Sequence, residues 1–130
     1  MDPLIGLIDL ILASQTVTAL VEARVFKGSA AQIGEAAYPN VTIERRTIGD
    51  LEMNAPAGDF DILVTSRATT MDGAWTLHDA VKTAIGRARW TLGSQYCTAL
   101  ASSTPFDLPE EADAQPVYPV AQIFQIHTFG

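Results

Sequence analysis

Apolar residues recur at helical spacing near the start of the chain. Leu4, Ile5, Ile8, Ile11 and Leu12 share one face, Asp9 lies to the side, and Leu10 points nearly opposite. Asp2-Pro3 opens this helix with a capping carboxylate and a proline suited to the first helical position. A short helical turn over Val17 to Val21 and a brief strand over Ala23 to Phe26 follow. Gly28 to Asn40 is rich in small residues and reads as a loop. The pattern then changes to alternation: Val41 and Ile43 face one way while Thr42, Glu44 and Arg46 face the other, which predicts a strand over Val41 to Ile48. A second strand is predicted over Asp59 to Ala68, where Phe60, Ile62 and Val64 alternate with Asp61, Leu63 and Thr65. The two form an antiparallel hairpin whose long connection, Gly49 to Gly58, carries the turn formers Asn54, Pro56 and Gly58.

The strongest helical pattern comes next. Leu77, Val81, Ala84, Ile85, Ala88 and Leu92 recur on one face, so a helix is predicted over 74–92, with Gly93 as its stop. Tyr96 to Ser102 reads as a strand, Ser103 to Pro116 as an acidic loop, and Val117 to Phe129 as a closing strand. Pro119 near its start predicts an edge or a bulge there. This order predicts an α+β fold of two layers, an antiparallel or mixed sheet of about four to five strands with two helices on one face.

Length and composition fit that reading. One domain is expected over residues 1–130, large enough to fold without disulfides or a structural metal. Charged residues make up 18%, below the usual quarter, which fits either a well-filled core or a protein that hides surface in an oligomer. The formal net charge of -7 argues against sequence-independent attraction to nucleic acid. The single cysteine, Cys97, falls in a predicted strand and reads as a small buried hydrophobe. The apolar run Leu4 to Ala13 is too short to span a membrane and lacks the basic start of a signal peptide. It reads as a core helix of a protein made in the cytoplasm.

No sequence motif for catalysis or metal binding stands out, and a Ser-His-Asp triad, which is recognised by geometry, stays open at this level. His78 and His127 lie in different elements, neither with a ligand partner at helical or turn spacing. No Gly-x-Ser-x-Gly elbow, P-loop or dinucleotide-binding turn occurs. Asp107, Glu110, Glu111 and Asp113 do not follow the EF-hand spacing. The expectation is a protein that is not an enzyme, with no catalytic residue, cofactor or metal.

Interaction chemistry remains. Trp90 falls opposite Val81 and Ile85 on the predicted helix, which makes it a candidate contact anchor unless that helix ends early or a loop covers it. Leu51 and Met53 are apolar residues in the hairpin connection, able to reach a neighbouring subunit or to make a local contact within a solvated loop. Arg45 and Arg46 read as strand surface charges able to pair with acids on a neighbour. These five residues are the candidate subunit interface.

The arrangement also resembles a known family. The N-terminal apolar helix leads into Ala23-Arg24-Val25-Phe26, then Tyr38-Pro39-Asn40-Val41-Thr42-Ile43-Glu44-Arg45. Phe60-Asp61-Ile62-Leu63-Val64-Thr65-Ser66-Arg67-Ala68-Thr69 runs on into Trp75-Thr76-Leu77-His78-Asp79-Ala80-Val81-Lys82-Thr83-Ala84-Ile85. Over roughly residues 1–92 this order is similar to that of the tail terminator, or tail completion, proteins of long-tailed bacteriophages and related particles. The resemblance implies a homohexameric ring in the virion, at the head-proximal end of the tail. It implies tail tube protein and head–tail connector protein as partners, and genomic DNA passing through the ring without specific binding. Such proteins have no catalytic residues to carry over. The alternatives are another head–tail joining protein, such as a head-completion or connector adaptor, a tail-tube subunit, or a small enzyme or ligand-binding domain.

Overall fold

The computed structural model describes residues 3–28, 37–45, 59–86, 88–92, 95–107 and 117–129. Helix α1 spans Pro3–Leu12 and α2 spans Gln15–Val21. Ser14 separates them, its hydroxyl accepting a hydrogen bond from the Val17 N–H as an N-cap. Strand β1 is Val25–Lys27, β2 is Asn40–Arg45 and β3 is Asp59–Ala68. Helix α3 covers Met71–Gly86. Its start is set by the Thr70 hydroxyl, which accepts the Gly73 N–H at 3.0 Å, and Asp72 adds a negative charge in the first turn. Strands β4 (Arg89–Leu92), β5 (Gln95–Ala101), β6 (Phe106–Asp107) and β7 (Tyr118–Phe129) complete the chain.

Among the described residues, seven strands form one mixed sheet in the order β1-β2-β3-β7-β5-β4, with β6 alongside the start of β7. The expected sheet of four to five strands and two helices is therefore too small. The extra strands are short, and a strand of two to four residues shows too little alternation to be seen in sequence. All pairings are antiparallel except β1 with β2. The expected antiparallel pairing of β2 with β3 is present, in a register that sets Ile43 beside Val64, and the expected continuation to Ile48 and the connection Gly49 to Gly58 lie outside the described residues. Strand β7 is interior, paired with β3 along ten residues. Among the described residues Pro119 is paired with β3 and lies outside the stretches paired with β5 and β6, a position that tolerates the missing N–H.

The three helices cover one face of the sheet. Leu4, Leu7 and Ile11 of α1, Val17 and Val21 of α2, and Leu77, Val81 and Ile85 of α3 pack onto Val41, Ile43, Ile62, Val64, Phe124 and Ile126. The α1 stripe thus passes through Leu7, while Ile5, expected inside, points out. The expected helix over 74–92 stops at Gly86. Its last stretch is strand β4 instead, where Trp90 pairs with Cys97 and Leu92 with Gln95. Trp90 and Thr91 favour a strand, and only two residues, Gly93 and Ser94, separate Leu92 from Gln95, a spacing that suits a hairpin turn. The predicted loop over 103–116 likewise contains β6.

Candidate subunit interface

Of the interface residues expected from the sequence, Arg45 and Trp90 lie among the described residues. Arg46, Leu51 and Met53 lie outside the described residues. Arg45 ends β2 on the helix-side face, where its guanidinium stacks 4.2 Å above the Phe60 ring. Trp90 is buried, and its indole lies against Gly6 of α1. The reason for placing Trp90 at an interface was its position off a helical stripe. It sits on a strand facing the core, so that reason is gone.

The groups with chemical potential are also kept apart. His78 is buried on α3 beneath the edge of Trp75, with ring centroids 5.7 Å apart. Burial holds its imidazole below the ordinary value and Lys82 adds to this, while Asp79 and the adjoining Gln122 side chain oppose it. Neither His78 Nε2 nor Gln122 Oε1 closes a hydrogen bond of good geometry. Gln122 Nε2 donates instead to the Ser103 carbonyl at 2.7 Å, and the Ser103 hydroxyl accepts the Ile123 N–H at 3.0 Å. This polar group ties α3, β7 and the segment after β5 together. His127 lies opposite Asp59 and Thr98, on the face away from the helices. The two histidines therefore stand on opposite sides of the sheet. Cys97 is buried beside Trp90, and burial raises its thiol above the ordinary value, so it is a poor nucleophile. Among the described residues no group of three or more His, Cys, Asp or Glu could hold a metal ion. No single helix there is long and apolar enough to cross a membrane.

Open clefts flank the fold among the described residues. One, of about 580 Å³, runs between α1–α2 and α3 and is walled by Ala13, Ala80, Ala84 and Thr83, with Asp79 as its charged residue. Another, of about 530 Å³, lies at the β4 edge between Arg89, Trp90, Thr91, Tyr96 and Thr98. The sheet face beside it is unusual. In β5 the small residues Cys97 and Ala99 point to the core, while Tyr96 and Leu100 point outward at 57% and 65% exposure. The side chains expected inside a strand are thus outside, next to a sheet edge. Sequence reasoning missed this surface. Its signal was the inverted alternation Tyr96, Thr98, Leu100 against Cys97, Ala99. A second exposed apolar group, Met71, Trp75 and Tyr118, lies where α3 begins and β7 starts.

No family model and no curated protein matches the sequence. Among solved structures, the fold matches a chain described as "Virion of native gene transfer agent (GTA) particle". The TM-score is 0.64, at 16% identity, covering 95% of this chain and 92% of that one. Coverage this complete on both sides means that the whole architecture is shared.

Proposed function

We propose that this chain is a virion structural protein of a phage-like particle, forming a ring at the head-proximal end of the tail tube. There it terminates tail polymerisation and joins the tail to the head connector. The observation that carries the reading is the end-to-end likeness in fold to a chain of a gene transfer agent virion. The likeness of residues 1–92 to tail terminators supports the finer assignment. The separation of His78 from His127 and the burial of Cys97 fit a protein that works by assembly. A net charge of -7 suits a subunit past which DNA slides without sticking.

Particles produced without this protein test the proposal. Electron micrographs are expected to show tails of uncontrolled length and heads left unjoined. Tails of normal length on filled, joined heads would sink it. Tails of normal length with unjoined heads would transfer the chain to a connector role instead.

A further inference from the structure

The outer face of the sheet carries opposite charge at its two ends. Register places Glu44 opposite Leu63 and Asp61 opposite Gln125, both on the face away from the helices. Arg89 lies opposite Thr98, which lies opposite His127, on that same face at the far edge. Among the described residues none of Glu44, Asp61 and Arg89 has an ion-pair partner. The exposed cations Arg45 and Lys27 near the acidic end point the other way, while Arg67, on the same face as Glu44, is buried and bonded to the Thr42 hydroxyl. Arg45 stacks on Phe60, and Lys27 pairs with Ile43 on the helix-side face.

The β4 edge also has a backbone preference. With two residues between Leu92 and Gln95, that pair exchanges backbone hydrogen bonds, and so does Trp90 with Cys97. The N–H and C=O groups of Arg89 and Thr91 then point off the sheet. An edge of this kind accepts an added strand, with main-chain bonds supplying attraction and adjacent hollows taking side chains. The 530 Å³ cleft provides such a hollow, and exposed Tyr96 and Leu100 extend the apolar contact. At the opposite side, among the described residues, β2 runs two residues, Glu44 and Arg45, beyond its register with β1.

We infer that the occupant is a second copy of this chain. The β4 edge of one copy docks on the β1–β2 edge of the next, and Arg89 meets Glu44 across the joint. Two different surfaces of one chain make a head-to-tail contact, the type that generates rings when its rotation closes. Closure into a ring rests on the function proposed above, whereas the pairing rests on the sheet edge and its charges.

Sedimentation velocity over a concentration series tests the pairing. Wild type is expected to associate, and Arg89→Glu or Glu44→Arg to raise the concentration for half-assembly by about tenfold, since like charges then face each other. The double variant Arg89→Glu/Glu44→Arg is expected to recover most of that loss. Thr91→Pro removes an outward N–H at an edge position that tolerates proline, and is expected to weaken association by about tenfold. Circular dichroism melts of each variant establish that the fold is kept. Wild-type assembly by Arg89→Glu and Thr91→Pro, no recovery in the double variant, or a wild type monomeric at every concentration overturns the inference. A closed ring that ignores both edge variants removes the pairing and leaves the ring reading intact. Open chains or dimers that depend on Arg89 and Glu44 keep the pairing and remove the ring.

Discussion

Gly6 of α1 and Trp90 of β4 approach so closely that a Cβ on residue 6 would lie 2.6 Å from the indole Cδ1. The missing side chain lets the first helix lie flat on the last hairpin. Alanine is favoured over glycine in a helix by about 1 kcal/mol, but forcing an indole aside in a packed core costs about 1–3 kcal/mol. Gly6→Ala is therefore expected to lose stability in urea unfolding. In a Trp90→Leu background, where the ring is gone, the same substitution is expected to stabilise. A loss of equal size in both backgrounds would show that the close approach is unimportant.

His78 gives the fold a specific pH response. Its folded pKa is lowered by burial, so the unfolded chain binds a proton more readily than the native one. The stability it contributes is complete above the ordinary histidine value of 6.5 and declines as pH falls from there toward the folded value. The slope from one such group is at most about 1.4 kcal/mol per pH unit. His78→Gln is expected to flatten the stability profile between pH 6.5 and about 5, above the range where ordinary carboxylates titrate. An unchanged slope in that window would assign the acid response to other groups.

Arg67 is 2% exposed and donates a hydrogen bond to the Thr42 hydroxyl. Truncation to alanine removes a large buried side chain and strands its polar neighbours. Arg67→Ala is expected to cost roughly 2–4 kcal/mol in chemical denaturation. Arg67→Lys should recover little, because an ammonium does not reproduce the planar donor fork. Full recovery with lysine would mean that charge alone matters there.

Tyr96 and Leu100 provide the opposite contrast. Both are large, apolar and exposed, so Leu100→Gln is expected to change unfolding free energy by no more than about 0.5 kcal/mol. Association of the chain should nevertheless weaken. A substitution that unfolds the protein would mean that Leu100 belongs to the core of its own subunit.

Much of the fold was visible in the residue pattern. The alternation in 59–68 located β3 over its full length, and the stripe through Leu77, Val81 and Ile85 located α3. Both elements are long enough for their period to show. The end of α3 was misread because Ala88 and Leu92 happen to continue the helical spacing. Pairing of Trp90 with Cys97, a partner seven residues away that completes a hairpin, outweighs that local coincidence. Of the candidate interface, the described residues Trp90 and Arg45 differ in setting from the surface positions expected. Trp90 moved from surface to core with that correction, while Arg45 turned to Phe60. Tyr96, Leu100 and Arg89 had been passed over.

By itself the sequence determined the mixed class of the fold and the long elements β3, α3 and β7. These follow from periodicity and residue type, which are local properties. Tertiary structure alone decided that β7 is interior, that β4 forms an edge, and that Glu44 and Arg89 share one face at opposite ends. Strand order and facing depend on pairings between residues far apart in the chain, and no local pattern encodes which strand becomes the neighbour of which.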